Sequence, residues 1–139
     1  MRFEYDKFED IDLRTTVGPH IGRQFLDTGL ISLFGEVGPV WVDERFDQAD
    51  DNDYPGALWL LAATSDIIGF GTSLYMRHDG IFNADDPDDL ILNTTLGLKM
   101  PLAAGFETGV EAQWEYDGGA VEGVDELEET YNLFIGYAW

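Results

Sequence analysis

The sequence contains no cysteine, which excludes disulfide bridges and thiolate metal sites. It also has no run near the ~20 consecutive apolar residues of a membrane helix, since its densest apolar stretch covers only residues 56–63. Basic residues are scarce: seven Lys and Arg face 28 Asp and Glu, for a formal charge of −21. Such a polyanion repels nucleic acid, so we expect no nucleic-acid partner. A chain of 139 residues has the length of one domain, which we assign to residues 1–139.

The chain does contain many segments in which apolar and polar residues alternate, the pattern of strands with one apolar face. No segment has a convincing helical period. We predict eight strands, at 2–7, 10–25, 30–43, 55–65, 69–78, 90–102, 105–117 and 130–139. The pattern therefore indicates an all-β, antiparallel, up-and-down fold.

The connections between these predicted strands alternate in character. Three are short turns with few acids, at 26–29, 65–68 and 102–105. Three are long and rich in Asp, Asn, Gly and Pro, at 44–54, 79–89 and 118–129. Short turns at one end and long loops at the other are the layout of outer-membrane barrels, with the turns in the periplasm and the loops outside the cell.

Aromatic residues of the apolar parity collect near the ends of the predicted strands. Two belts of rings are expected where a membrane barrel meets the two interfaces. The ten residue steps from Phe106 to Tyr116 correspond to about 25 Å of height at ~40° tilt, which matches the lipid-facing band of such barrels. The predicted belts are Trp41, Trp59, Trp114, Tyr116 and Tyr131 near the long loops, and Phe25, Phe70, Phe106, Tyr137 and Trp139 near the short turns.

The last strand ends on an aromatic ring, Trp139, and its apolar residues share one parity back to Tyr131. Bacterial outer-membrane barrels typically end this way, because their assembly machinery reads such a final strand. We therefore expect the barrel-assembly machinery, outer-membrane lipid and lipopolysaccharide as partners.

The opposite parity carries charges of both signs, which we interpret as a lumenal network of salt bridges, since buried charge is costly unless it is paired. A selectivity ring or a ligand site is the functional alternative. We favour the structural interpretation because side chains just fill the interior of an eight-stranded barrel. The predicted network comprises Arg14, Glu36, Arg77, Lys99, Glu107, Glu111 and Glu115.

Several apolar residues also fall on the nominal lumen side, in two of the predicted strands. They indicate either a small apolar plug inside the barrel or a contact with another protein chain in a membrane complex. These residues are Phe34, Val40, Val42, Leu58 and Leu60.

Catalytic and metal sites have weak support in the sequence. His20 on the polar parity, with Ser32 or Ser73 and an acid, would make a hydrolytic triad, but the chain has no Gly-x-Ser-x-Gly elbow. Hence we predict no catalytic residue and no cofactor. The acidic loops contain oxygen ligands for a divalent cation without the spacing of an EF-hand, so we predict no metal site; the weak candidates are Asp50, Asp51 and Asp53.

Short motifs along the chain resemble a known family. They are Tyr5-Asp6-Lys7-Phe8, Asp12-Leu13-Arg14, Gly18 and Gly22, Phe25-Leu26-Asp27-Thr28, residues 32–38, Asp43-Glu44-Arg45-Phe46 and Tyr131-Asn132-Leu133. The family is that of the salt-induced outer-membrane proteins, also called domain of unknown function 481, which are similar to the YdiY proteins. The resemblance implies an outer-membrane β-barrel with no established enzymatic activity. Its members are usually longer at the N-terminus, which implies that this chain can be the C-terminal part of a larger barrel.

The sequence as a whole predicts an antiparallel transmembrane β-barrel of about eight strands in the bacterial outer membrane. We expect a non-enzymatic structural, scaffold or envelope-stress role. The alternatives are a narrow pore with a charged lumen, a lipid-modifying enzyme that uses His20, and a soluble barrel that encloses a hydrophobic ligand.

Overall fold

The computed structural model describes residues 2–6, 11–46, 51–119 and 125–137. Within these ranges the chain forms nine β-strands and one 3-10 turn, Ala103–Gly105. The strands are β1 (Arg2–Asp6), β2 (Ile11–Val17), β3 (Ile21–Asp27), β4 (Ile31–Phe46), β5 (Asn52–Gly69), β6 (Thr72–Asn83), β7 (Leu90–Pro101), β8 (Phe106–Asp117) and β9 (Leu127–Tyr137).

All the ladders of this single sheet are antiparallel, and they follow the chain in the order β1, β2, β4, β5, β6, β7, β8, β9. β3 also pairs with β4, beside β2. β2 and β3 are therefore two segments of one strand position, and the sheet has eight positions. The predicted all-β, up-and-down fold is confirmed.

The prediction of one unbroken strand over 10–25 is wrong, because residues 18–20 separate β2 from β3. Pro19 in this segment has no backbone N–H to donate to a ladder. The neighbouring backbone of β4 also comes unusually close, since a β-carbon on Gly18 would overlap the Pro39 carbonyl oxygen. Because of the break at 18–20, β2 pairs with the C-terminal half of β4 and β3 pairs with its N-terminal half.

The hairpin turn between β5 and β6 also differs from the prediction. β5 continues through 65–68 with an irregular register, and the turn lies at Phe70 and Gly71. Gly69, Phe70 and Gly71 all have positive φ, so the turn forms where two glycines accept the left-handed conformation without strain. Phe70 consequently lies at the tip of the turn, 97% exposed, and not within a strand.

The strands reach further into the acidic segments than predicted. β4 and β5 pair as far as Glu44 with Asn52, β6 continues to Asn83, and β9 begins at Leu127. We call the end of the sheet where β4 meets β5, β6 meets β7 and β8 meets β9 the long-loop end. The opposite end, with the β3–β4, β5–β6 and β7–β8 connections, is the short-turn end.

The sheet curls into a half-barrel. β2 and β8 are five strand spacings apart in the sheet, about 24 Å if it were flat. However, Arg14 on β2 donates a hydrogen bond to Asp117 on β8 at 2.8 Å. The face that carries these two residues is therefore concave, and we call it the inner face. Within the described ranges, no ladder joins β9 to β1, β2 or β3.

The two faces of the sheet differ in composition. Six apolar side chains pack on the inner face at the long-loop end and form the buried core: Val40, Val42, Tyr54, Leu58, Ile81 and Ile91. Large apolar side chains on the outer face are exposed, and they include Ile21, Val37, Leu96, Val110, Leu133 and Ile135. The polarity of a soluble barrel surface is thus reversed over much of the convex side.

Aromatic rings lie flat across glycines of neighbouring strands on both faces. On the inner face, a β-carbon on Gly97 would overlap the Tyr75 ring, and on the outer face one on Gly80 would overlap the Trp59 ring. Glycine at these positions permits the ring to cover the adjacent strand. Tyr75 thereby reaches over β7 and donates a hydrogen bond to Glu111 on β8 at 2.7 Å.

Candidate functional site: the inner face of the half-barrel

The Arg14 cluster, which we define as Arg14, Glu44, Tyr54 and Asp117, closes the inner face at the long-loop end. Arg14 Nε donates to Glu44 Oε1 at 2.6 Å, and its Nη2 donates to Asp117 Oδ2. The Tyr54 hydroxyl donates to the same Glu44 oxygen at 3.2 Å. The Arg14 side chain is only 5% exposed, so one cation neutralises two largely buried carboxylates.

The connection between β6 and β7 folds down beside this cluster. The Asn83 side chain accepts hydrogen bonds from the backbone N–H groups of Asp85 and Asp86, and it donates to Asp89 at 2.7 Å. Partial burial raises the pKa of the Asp89 carboxyl above its ordinary value, and the nearby Asp117 raises it further, while the Asn83 hydrogen bond opposes both. One asparagine side chain therefore fixes the acidic loop through three hydrogen bonds. The loop also carries a carboxyl group, Asp89, whose charged form is disfavoured by burial.

A cavity of about 230 Å³ lies on the inner face below the buried core. We call it the inner pocket. It lies between β2, the 18–20 break, β4, β5 and β6, and Leu58 of the core borders it. The other lining residues are Thr16, His20, Glu36, Leu60, Arg77 and Asp79.

Two hydrogen-bonding pairs of side chains face this pocket. His20 Nδ1 lies 2.8 Å from Glu36 Oε1, and Arg77 Nε lies 3.1 Å from Asp79 Oδ1. The Arg77 side chain is 55% exposed although Asp79 is buried. The pocket therefore presents both signs of charge on an otherwise partly apolar surface.

The predicted lumenal residues all lie on the inner face, but they form separate groups and not one network. Arg14 pairs with two acids outside the predicted set, and Lys99 pairs within it, with Glu107 at 3.5 Å. Glu111 accepts hydrogen bonds from Tyr75 and from Gln113. Glu115 pairs across the β7–β8 ladder with Asn93 and has a polar contact of its own.

Sequence reasoning missed Glu44, Tyr54 and Asp117, which complete the Arg14 cluster. Asp117 is the last residue of the predicted strand 105–117, but it is not in the predicted network. Glu44 and Tyr54 fall within the predicted connection 44–54, although each continues the inner-face parity of its strand. Asp79 was missed for the same reason. The detectable signal was Arg14 itself, because a cation on a buried face requires acids within reach.

The structure does not assemble the hydrolytic triad considered for His20. His20 pairs with Glu36, as an acid–histidine pair would, but Ser32 accepts a hydrogen bond from Gln24, and Ser73 bonds Asp66. Ser32 lies four residues before Glu36 on β4, about 13 Å nearer the short-turn end. Neither serine is therefore placed to give its proton to His20.

The weak metal candidates do not converge on a site either. Asp50 lies outside the described residues, and Asp51 and Asp53 are exposed. In the described part of the chain, no three His, Asp or Glu side chains are grouped to hold a metal ion.

Most of the predicted belt aromatics lie on the outer face. On β8 and β9, Trp114 packs edge-on against Tyr131, and near the short-turn end Phe106 packs edge-on against Tyr137. Phe25 lies across Gly35 on the same face. Trp41 and Tyr116 occupy outer-face ladder positions towards the long-loop end, whereas Trp59, opposite Val37, lies near the middle of the outer face. Phe70 is at a turn tip, and Trp139 lies outside the described residues.

Two polar side chains in the middle of the outer face satisfy each other. The His78 ring Nδ1 and the Thr94 hydroxyl are 2.9 Å apart, and the Trp59 ring lies 6.2 Å from the His78 ring.

Among the described residues there is no helical segment with the length and apolar content that a membrane crossing requires.

Comparison with known proteins adds a family. A family model described as "Protein of unknown function, DUF481" matches residues 1–139. Neither the curated proteins nor the solved structures include a match to this chain.

Proposed function

The chain belongs to the DUF481 family of proteins of unknown function, so we propose its role from the geometry of the structure. We propose that the protein forms the wall of a bacterial outer-membrane β-barrel and has a structural, non-enzymatic role. The observation that carries this proposal is the reversed polarity of the sheet. Apolar side chains are exposed on the convex face, while both signs of charge lie on the concave face. A lipid-facing wall has this distribution, and a soluble barrel has the opposite one.

The outer-face aromatics support the same arrangement. Ring pairs lie near both ends of the β8–β9 ladder, and amphipathic rings favour the two membrane interfaces. The polar pair of His78 and Thr94 is internally hydrogen-bonded, which lowers the cost of its contact with lipid. In this orientation the long-loop end is extracellular and the short-turn end is periplasmic.

The inner face favours a closed wall over a pore. The six buried apolar side chains and the Arg14 cluster fill the concave side at the long-loop end. An ion path along that side would have to displace a packed core. We therefore propose that this half of the protein has a scaffold role.

Depth-dependent quenching of tryptophan fluorescence by brominated lipids tests the proposal. One variant retains only Trp59, with Phe at 41, 114 and 139. The matched control carries Trp59→Phe and Leu60→Trp in the same background, which moves the indole by one residue to the inner face. We expect strong quenching of Trp59 in refolded proteoliposomes and weak quenching at position 60. Equal quenching, or a chain that remains dispersed without lipid or detergent, would contradict a lipid-facing outer surface.

A further inference from the structure

We infer that the inner pocket binds a small zwitterion, a molecule that carries a carboxylate and an ammonium group joined by a short aliphatic spacer. The inference concerns the concave face alone and does not depend on where the protein resides. It follows from the hydrogen-bonding atoms that the two side-chain pairs leave unused, from the distance between the pairs and from the surface between them.

In each pair, one charged side chain has hydrogen-bonding atoms that its partner does not contact. Arg77 contacts Asp79 through Nε, and among the described residues its two terminal nitrogens have no hydrogen bond. Those nitrogens form the fork that binds a carboxylate with two parallel hydrogen bonds. Glu36 contacts His20 through Oε1, which leaves Oε2 as an acceptor for an ammonium group.

The described lining of the pocket carries both signs of charge, which favours a ligand that also carries both. A simple anion at Arg77 would also face Asp79 and Glu36, and a simple cation at Glu36 would also face Arg77. A zwitterion satisfies both ends without adding net charge to a partly enclosed site.

The spacing of the strands sets the length of the ligand. Glu36, Leu60 and Asp79 occupy one ladder row across β4, β5 and β6, and Arg77 lies two residues further along β6. The Cα atoms of Glu36 and Arg77 are thus about 10–12 Å apart, and their side chains cover part of that distance. Leu60 lies between them, so an aliphatic spacer would rest on an apolar side chain. A cavity of about 230 Å³ holds a molecule of this size.

The test is calorimetric titration of the refolded full chain with 4-aminobutyrate. Butyrate and n-butylamine each present one of its charges, and glycine presents both without the spacer. We expect saturable binding of 4-aminobutyrate at least tenfold tighter than of any of the other three. Absence of saturable binding, or equal affinity for butyrate, would overturn the inference.

Substitutions locate the site. Arg77→Gln and Glu36→Gln should each weaken 4-aminobutyrate binding at least tenfold, because each removes a charge-assisted hydrogen bond. Lys99→Gln is the matched control, since it removes an inner-face cation outside the pocket that pairs with Glu107. Equal losses in Arg77→Gln and Lys99→Gln would overturn the assignment.

The two histidines of the chain supply a measurement that needs no variant. His20 lines the pocket, whereas His78 bonds Thr94 on the outer face. Addition of 4-aminobutyrate should shift the NMR resonances of the His20 ring and leave those of His78 in place. Unmoved His20 resonances, or equal movement of both rings, would contradict binding in the pocket.

Discussion

The inner face has two halves that are built differently. At the long-loop end, six apolar side chains and the Arg14 cluster pack across the concave surface with little exposure. At the short-turn end, β3 is exposed along its whole length, and the Lys99–Glu107 pair is 44% and 30% exposed. Both halves carry ion pairs, but only those of the first half are enclosed.

This difference separates ion pairs that matter for stability from those that do not. A solvated pair contributes little, because water competes for both partners. A buried pair is costly to break, since removal of one partner leaves the other charge without solvent. Stability should therefore depend on the long-loop half, while the short-turn half and the inner pocket are open to variation.

The largest expected effect is that of Arg14→Met, which removes the cation and leaves Glu44 and Asp117 buried together. We expect a loss of about 3–5 kcal/mol in the free energy of unfolding, measured by urea titration of the refolded protein. Lys99→Met removes an inner-face cation from the open half and should cost less than about 1 kcal/mol.

A rescue experiment sharpens this prediction. Glu44→Gln and Asp117→Asn, added to Arg14→Met, remove the unpaired charges and should restore much of the lost stability. If Arg14→Met is no worse than Lys99→Met, the two halves do not differ in the way proposed here.

The next effect concerns apolar side chains of equal size on the two faces. Ile81 is 4% exposed in the core, and Ile135 is 72% exposed on the outer face of β9. Ile81→Ala should cost about 2–5 kcal/mol, because it opens a cavity in a packed interior. Ile135→Ala should change the unfolding free energy by only about 0.5 kcal/mol in detergent. Similar losses at both positions would mean that the outer face is packed against something in solution.

The smallest effect is a pH dependence at Asp89. Its pKa is raised in the folded chain, so the wild type is stabilised as the pH falls through that pKa and is penalised at neutral pH. Asp89→Asn should therefore raise stability at pH 7 by less than about 1 kcal/mol, since the carboxyl is still partly solvated. The advantage should vanish towards the ordinary Asp value, and an advantage that persists at low pH would exclude this cause.

Asp85→Asn provides the control for Asp89→Asn. Asp85 is exposed in the same loop, and its substitution removes the same unit of net charge. Urea titrations of both variants at several pH values distinguish a local effect at Asp89 from a general reduction of the −21 charge.

Period-two alternation was sufficient to predict the strand positions and the two faces, because each residue step in a strand reverses the side chain. It could not locate the break at 18–20, which depends on the close approach of the Pro39 carbonyl in another strand. The turn at Phe70 was missed for a related reason. Ser65 and Asp66 have the composition of a turn, but the two glycines beside Phe70 provide the backbone conformation that a turn requires.

The candidate site was less predictable than the fold. Parity placed Val40, Val42 and Leu58 on the lumen side, and left open whether they formed a plug or a contact with another chain. These three side chains are buried together in one core cluster, whereas Phe34 and Leu60 of the same predicted group are only half-buried. The alternation of apolar and polar residues could not identify the partners of Arg14, because the contact with Asp117 depends on the curvature of the whole sheet.

That contact also has a consequence for the order of folding. The ladders from β4 to β9 each join strands that follow one another in the chain, so each hairpin can form locally with little loss of chain entropy. Arg14 and Asp117, in contrast, are 103 residues apart in sequence. Their hydrogen bond can stabilise the curved sheet only after the intervening strands are aligned. The Arg14 cluster should thus form after the rate-limiting barrier, and Arg14→Met should accelerate unfolding while it leaves the refolding rate almost unchanged.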